Sequence, residues 1–207
     1  MLYAGKKLAQ LCSANNKIYG LLARGVPATI NTASIDIGNL KGKYGENVIG
    51  SMLNILALEN DDLYVFHSVL APHNKPGETD HLILFQNKLI LIETKTYSNF
   101  AVFKINKEGD LRGRKVGENN TLRMLENNNL IEKVKDYEML FPEYSVHAIT
   151  AVTRSDVKTT SENGKYKVAS LTNILQNIEY HMDMAKPVDE ELNEESIHYL
   201  ASNCLSK

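Results

Sequence analysis

Apolar positions recur along the chain at two periods, and the switches between them predict the order of helices and strands. From Gly45 they return every three or four residues, which predicts an amphipathic helix that ends near Glu59. The segment Leu63 to Leu70 is rich in strand-forming residues and follows a polar turn, so it predicts a strand. The earlier residues show a weaker helical pattern, followed by a segment, Ala28 to Leu40, whose composition indicates a connector.

Two apolar runs separated by polar residues predict a hairpin in the middle of the chain. The runs are His81 to Phe85 and Leu89 to Glu93, and the turn is centred on Gln86-Asn87-Lys88. Because neither run alternates with polar residues, we expect the hairpin to be buried on both faces.

The rest of the chain alternates between strand and helix patterns. The expected elements are a strand at Phe100 to Ile105, a polar loop through Arg112 to Gly117, a helix at Thr121 to Leu140, a strand at Val146 to Val152, a short strand from Lys167 to Ser170, a helix at Leu171 to Met182 and a peripheral helix after Pro187. This order predicts an α/β fold, with α+β left open, built on a central mixed β-sheet flanked by helices. The corresponding division is an N-terminal helical extension (1–40), a main domain (41–185) and a C-terminal helical tail (186–207).

Composition narrows the class of protein without deciding its function. With 43% hydrophobic and 23% charged residues, the chain resembles ordinary globular proteins. The two cysteines, Cys12 and Cys204, lie near opposite ends, which argues against a zinc site and for a cytoplasmic protein. No apolar run has the length of a membrane span and no secretory signal is evident, so we expect no membrane partner. Because the net charge is -2, the chain as a whole does not attract nucleic acid, and any attraction would have to come from a local basic patch.

Charged side chains interrupt the apolar hairpin at its open end. With the turn at Gln86 to Lys88, Asp80 is expected opposite position 93, 94 or 95 of the second strand. Glu93 and Lys95 are two residues apart and therefore share a face. Opposed side chains on paired strands have Cβ atoms about 5 Å apart. Two carboxylates and an ammonium group are thus expected to converge.

The residues alone leave two interpretations of this convergence open. In the first, the carboxylates bind Mg²⁺, which takes one or two protein carboxylates together with water and substrate phosphate. Lys95 then orients or deprotonates the attacking water, or neutralises charge that develops on the phosphate. In the second, Lys95 forms a salt bridge with Glu93 or Asp80 at the end of the strand, because such side chains are rarely buried unpaired.

Three motifs, taken together, resemble a known family. They are Lys43-Tyr44-Gly45-Glu46 on the first helix, Thr79-Asp80-His81-Leu82-Ile83-Leu84 on the first hairpin strand and Leu91-Ile92-Glu93-Thr94-Lys95-Thr96 on the second. An acidic residue, a hairpin and a Glu-x-Lys resemble the PD-(D/E)xK nuclease superfamily. The order and spacing of all three motifs are similar to the nuclease-related domain, NERD, over residues 41 to 175.

The resemblance implies a restriction-endonuclease-like core and a metal-dependent nuclease acting on nucleic acid, with DNA favoured. It implies a catalytic set of Lys95, Glu93, Asp80 and Glu46, in which the three carboxylates hold Mg²⁺ and Mn²⁺ substitutes. Without the resemblance, Glu46 is better explained as a charge that favours the first turn of its helix. The alternative function is a catalytically silent nucleic-acid-binding or assembly module, and a homo-oligomer is left open.

The helix after the hairpin departs from the family pattern. The family has Asn-Pro and a glutamine there, whereas this chain has Asn128-Asn129-Leu130-Ile131-Glu132. Glu132 is either a further acidic member of the site or part of a solvated helix face, which we favour. That face comprises Glu132, Lys133, Lys135 and Asp136.

Basic residues and histidines outside the hairpin give weaker signals. The densest basic cluster predicts contacts to a phosphate backbone, with a solvated loop as the alternative; it consists of Arg112, Arg114 and Lys115. His67 and His73 indicate no site. His81, beside Asp80, is expected to support the fold from behind the site, since strand neighbours point to opposite faces.

Overall fold

The structure is a computed structural model that describes residues 18–19, 37–72, 77–119, 121–127 and 129–204. Its elements are β1 (Ile18–Tyr19), α1 (Ile37–Glu59), β2 (Leu63–Leu70), β3 (Glu78–Phe85), β4 (Lys88–Lys95), β5 (Phe100–Ile105), β6 (Leu111–Lys115), β7 (Arg123–Met124), α2 (Leu130–Leu140), β8 (Ser145–Val152), β9 (Lys158–Ser161), β10 (Tyr166–Ser170), α3 (Ile174–Met182) and α4 (Glu190–Ser202). Among the described helices, none combines the length and apolarity needed to cross a membrane.

The described strands form two sheets. The main sheet has the order β1-β2-β3-β4-β8-β10, and the smaller sheet has the order β7-β6-β5-β9. In the main sheet β2, β3 and β4 are antiparallel, whereas β4, β8 and β10 run parallel. The predicted α/β fold with a mixed sheet flanked by helices is therefore confirmed.

Strand β4 shows how the main sheet is covered on both faces. Leu89 and Leu91 belong to an apolar cluster with α2, α4 and the smaller sheet, whereas Ile90 and Ile92 belong to a second cluster with α1 and α3. Alternate side chains of the strand thus enter different layers, as the unbroken apolar run predicted. Strand alternation places Glu93 on the α2 side of the sheet.

The hairpin keeps the predicted register but has a tighter turn. His81 pairs with Ile92 and Phe85 with Lys88, so Gln86 and Asn87 alone form the turn. Gln86 adopts a left-handed backbone conformation with φ of 49°, which is typical of the tight turns that join antiparallel strands.

Two predicted elements of the first half were wrong. Helix α1 begins at Ile37, inside the segment Ala28 to Leu40 that was expected to be a connector. Ile18–Tyr19, expected to be helical, pairs with β2 as a short parallel strand. The remainder of the extension 1–40 that precedes α1 lies outside the described residues.

Two predicted elements after the hairpin were also wrong. The expected loop through Arg112 contains strand β6, in which Leu111 and Gly113 are buried while Arg112 is exposed. The predicted helix from Thr121 begins only at Leu130, because β7 first pairs with β6 and Asn129 then takes a left-handed φ of 54°. The sequence pattern also missed β9, a half-exposed strand paired with β5.

A close approach of α1 to the main sheet depends on Gly45. A Cβ atom at this position would overlap with Cγ2 of Thr153 and lie 3.1 Å from Oγ1 of Thr96. The two threonine hydroxyls are 2.9 Å apart and share a hydrogen bond at the carboxyl ends of β4 and β8. β-branched side chains have little rotamer freedom, so they cannot easily turn away. Gly45 therefore sets how closely Glu46 approaches this end of the sheet.

We predict that Gly45→Ala lowers the free energy of unfolding by about 1–3 kcal/mol, because the added methyl group overpacks the contact with Thr153. Gly42→Ala on the same helix is the matched control, since a Cβ there meets nothing within 4 Å. The control is expected to be neutral or to stabilise by up to about 1 kcal/mol. Urea denaturation measures both; equal effects of the two substitutions would contradict the packing argument.

Candidate active site

The carboxylate of Asp80 is fixed at the point where the β3–β4 ladder ends. The last ladder pair is His81 with Ile92, and beyond it the backbone N–H of Thr94 donates a 2.7 Å hydrogen bond to Oδ2 of Asp80. A buried backbone N–H needs a hydrogen-bond acceptor, and here the side chain of Asp80 supplies it where a backbone carbonyl of a neighbouring strand usually does. Burial raises the pKa of Asp80 above its usual value, and the hydrogen bond from Thr94 opposes that rise.

Glu93 is fully buried and paired with a lysine from another element. Its side chain has no exposed surface, and Oε1 accepts a hydrogen bond from Nζ of Lys133 on α2. Nζ of Lys95 lies farther away, 4.0 Å from Oε2. Burial, followed by the charge of Asp80, raises the pKa of Glu93 to about 7 although Lys133 lowers it. Lys133 is therefore the near cation of Glu93, and Lys95 is the more distant one.

Lys133 is a member of the site that the sequence analysis missed. Its side chain is 11% exposed, and Nζ also donates a 2.7 Å hydrogen bond to the backbone carbonyl of Glu78. The expected solvated face was wrong for Lys133 and for Asp136, which is buried, whereas Glu132 and Lys135 are exposed.

The signal for Lys133 was present in the spacing of α2. Leu130, Val134 and Tyr137 form the buried stripe of the helix. Lys133 lies three residues after the first and four before the last, so it shares their side of the helix. A lysine within an apolar stripe requires a buried partner, and Glu93 is that partner.

Lys95 ends β4 within reach of both hairpin carboxylates. Its side chain is 13% exposed, and burial lowers the pKa of Lys95, while the charges of Glu93 and Asp80 raise it. The structure therefore brings Asp80, Glu93 and Lys95 together, as the hairpin register predicted. The alternative, a salt bridge at the end of the strand, is present only as a long contact, since Nζ of Lys95 lies 4.0 Å from Oε2 of Glu93.

Glu46 reaches the same region from α1. Because the helix begins at Ile37, Glu46 lies in its third turn, so the explanation as a favourable charge in the first turn was wrong. Burial, then the charges of Asp80 and Glu78, raise the pKa of Glu46 to about 7. The charges of Asp80 and Glu78 on β3 therefore act on the Glu46 carboxyl.

A cleft of about 470 Å³ is lined by Glu46 and Asp80 of the expected catalytic set, and acidic side chains dominate its lining. The charged residues that line it are Glu46, Glu78, Asp80, Glu126, Glu132, Lys133 and Asp136. The segment with Glu126 is held by Tyr97, whose hydroxyl donates a 2.7 Å hydrogen bond to the Glu126 carbonyl. Glu132 lines the cleft and is exposed.

A pair of buried histidines lies on the opposite side of the sheet from Asp80. The Nδ1 atoms of His67 and His81 are 2.8 Å apart, and Nε2 of His67 is 2.9 Å from Oδ1 of Asn54 on α1. Burial lowers the pKa of His67 to about 4 and that of His81 well below its usual value, so both rings are neutral and one donates to the other. The pair joins α1 to β2 and β3 behind the site. His73 lies outside the described residues.

The three basic residues predicted to contact nucleic acid lie on β6 and divide between its faces. Arg112 pairs with Lys104 of β5, and Arg114 pairs with Val102, so the two arginines share a face. Strand alternation puts Lys115 on the other face. Strand β7, next to β6, leads directly into the cleft-lining Glu126.

The residues of the site fit a hard divalent cation in chemistry, although not as a preformed cage. Among the described residues, no group of three or more His, Cys, Asp or Glu side chains is arranged to hold a metal ion. The half-buried Asp80 and the fully buried Glu93 are nevertheless neighbouring carboxylates, and burial followed by the charge of Asp80 raises the pKa of Glu93. A cation between them would relieve that repulsion, and Mg²⁺ needs no more than two protein carboxylates.

Comparison with models of known protein families identifies the family of this chain. The family model described as nuclease-related domain matches residues 41–153, more than half of the chain. The chain belongs to the NERD family. The matched segment contains Glu46, Asp80, Glu93 and Lys95, and it also contains Lys133. Comparison with curated proteins and with solved structures gave no match.

We predict that Glu46→Gln stabilises the protein more at pH 7.5 than at pH 5 in the presence of a chelator. A folded-state pKa of about 7 lies above the ordinary value of 4.5, so the folded protein holds this proton more tightly. Stability from Glu46 is therefore full below pH 4.5 and is lost as the pH rises through 7, whereas glutamine does not titrate.

Urea denaturation at several pH values measures the difference between the variant and the wild type. Glu59→Gln, on the exposed end of the same helix, is the matched control. A difference for Glu46→Gln that stays constant from pH 5 to pH 7.5 would show that its carboxyl is not coupled to the site.

Proposed function

We propose that this NERD protein is a metal-dependent nuclease of the PD-(D/E)xK type that hydrolyses phosphodiester bonds of DNA. The meeting of Asp80, Glu93 and Lys95 at one buried point, in a chain of a nuclease-related family, carries the proposal. Glu46 completes the proposed catalytic set. The scarcity of cysteine supports a cytoplasmic location.

Asp80 and Glu93 would hold Mg²⁺, or Mn²⁺ in its place, with Glu46 as the third carboxylate close by. The acidic lining of the cleft supports the need for a metal ion, because its negative charge repels the phosphates of DNA unless cations enter with them. When bound, the metal polarises the phosphate and lowers the pKa of a water molecule.

Lys95 is the proposed proton acceptor for the attacking water. Burial lowers the pKa of Lys95, which increases the fraction of neutral amine able to accept a proton. The water oxygen forms a bond to phosphorus as the bond from phosphorus to the leaving oxygen breaks. The water proton moves to Nζ of Lys95, whose ammonium form then stabilises the charge on the phosphate oxygens, and the leaving oxygen takes up a proton from solvent water.

Arg112 and Arg114 are the proposed contacts to the DNA backbone. Their shared face on β6 belongs to the small sheet that leads into the cleft at Glu126. Arginine and phosphate form contacts that do not depend on the DNA sequence, so these two residues would position the DNA backbone.

One observation favours the alternative, a catalytically silent nucleic-acid-binding or assembly module. Lys133 already neutralises Glu93, which reduces the need of that carboxylate for a metal. Retention of all four residues of the proposed catalytic set favours the nuclease, because a site without a catalytic role does not require the lysine and all three carboxylates to be kept together.

We predict that Lys95→Ala lowers the rate of DNA cleavage with Mg²⁺ or Mn²⁺ by at least about 100-fold, because the proton acceptor is lost. The assay uses duplex, single-stranded and branched DNA. Lys135→Ala, an exposed lysine of α2, should keep the wild-type rate. Equal inactivity of the wild type and Lys95→Ala on all three substrates would reject catalysis and favour the silent module.

We predict that Arg112→Ala with Arg114→Ala weakens DNA binding and reduces the slope of log affinity against log salt by about 2, because each lost phosphate contact removes nearly one unit. Lys115→Ala on the opposite face of β6 is the control and should change the slope by less. Fluorescence anisotropy with labelled DNA at several salt concentrations measures this. A larger effect of Lys115 would assign binding to the other face.

A further inference from the structure

We propose that Lys133 sets the affinity of the site for a divalent cation, because its ammonium group holds the position beside Glu93 that the cation needs. The inference rests on the proposed metal-dependent function and names the residue that regulates metal entry. Lys133 is a positioning residue here, since it acts through Glu93.

The contacts of Lys133 define this position. Its Nζ donates to Oε1 of Glu93 and, over 2.7 Å, to the backbone carbonyl of Glu78. The ammonium group is therefore bound by oxygen atoms from the ends of β3 and β4, and hard divalent cations prefer oxygen ligands of the same kinds. The charge of Lys133 also acts on Asp80, whose pKa it lowers.

The place of Lys133 in α2 indicates that carboxylates hold it there. Lys133 lies in the first turns of the helix, where the helix dipole disfavours a cation. A buried lysine near that end needs compensation from negative charge, and the fully buried Glu93 supplies it.

Charge balance gives the direction of the effect. The Lys133 ammonium contacts Glu93 and its charge also acts on Asp80, so both carboxylates already have a cation beside them before any metal enters. A divalent cation must then compete with the Lys133 ammonium and displace or repel it. Removing the charge at position 133 leaves the carboxylates undercompensated, and the cation should bind more tightly.

If Lys133 only supports Glu93, removal of its charge should weaken the binding of the cation instead of strengthening it. If the ion pair served only to hold the Glu93 carboxylate ionised and in place, its loss would let Glu93 take up a proton or turn away. The site would then bind metal more weakly. The direction of the change in metal affinity therefore separates the two roles.

The experiment is calorimetric titration of the full chain with Mn²⁺ for the wild type, Lys133→Gln, Lys133→Met, Lys133→Arg and Lys135→Gln. We expect Lys133→Gln and Lys133→Met to bind Mn²⁺ at least about tenfold more tightly than the wild type. Lys133→Arg keeps the charge and Lys135→Gln removes an exposed charge from the same helix, so both should stay within about threefold of the wild type. Circular dichroism establishes which variants are folded, and either neutral variant suffices.

Unchanged or weaker Mn²⁺ binding by the folded neutral variants overturns the inference, as does equal tightening by Lys135→Gln. A DNA-cleavage assay on the same samples tests the proposed function separately. Tighter Mn²⁺ binding without cleavage by any variant upholds the role of Lys133 and rejects the nuclease. DNA cleavage that depends on Lys95, together with unchanged Mn²⁺ affinity in the Lys133 variants, upholds the nuclease and rejects the role of Lys133. Absence of Mn²⁺ binding in all the proteins rejects both the nuclease and the role of Lys133.

Discussion

The ion pair between Glu93 and Lys133 is the interaction on which the arrangement of the site depends. Glu93 has no exposed surface at the end of an otherwise apolar strand, and an unpaired buried carboxylate would be costly. Lys133 supplies the compensating charge and also binds the Glu78 carbonyl, so it attaches α2 to the ends of both hairpin strands. Breaking a buried pair of this kind by removing one partner costs about 3–5 kcal/mol in other proteins. The contact therefore fixes the helix that forms one wall of the acidic cleft.

The other members of the site arrive from different layers of the fold. Helix α1 covers the face of the main sheet that carries Ile90 and Ile92, yet its Glu46 reaches Asp80 around the end of the strands. Two contacts hold α1 at this position, namely the close packing of Gly45 against Thr153 and the hydrogen bond that His67 donates to Oδ1 of Asn54. Acidic groups from α1 and β3 and the Lys133 cation from α2 meet only because the sheet is covered on both faces.

The sequence predicted the parts of the site that follow from local rules. The hairpin register, and with it the meeting of Asp80, Glu93 and Lys95, follows from a period of two residues and a short turn. The start of α1 did not follow, because the residues before Gly45 lack a clear apolar period, and this error misplaced Glu46 in the first turn. Strand β6 was missed because Arg112 and Arg114 alternate with Leu111 and Gly113, a strand pattern hidden by its glycine and charges. Lys133 was assigned to a solvated face because its partner lies forty residues earlier, on another element, and only tertiary packing brings them together.

The same ion pair separates the two functions that the scaffold permits. In a silent module, two lysines that balance Asp80 and Glu93 form a finished structural unit, and nothing more need enter the cleft. That unit leaves Glu46 unexplained, since a third carboxyl whose pKa is raised by burial and then by the charge of Asp80 destabilises the folded protein at neutral pH. Glu78, Glu126 and Glu132 add further negative charge to the lining, in which Lys133 is the one basic residue among the described lining residues. A bound cation would offset part of this negative charge. The acidic lining therefore supports the proposed metal-dependent function, in which Lys133 would balance the charge of Glu93 in the absence of the metal.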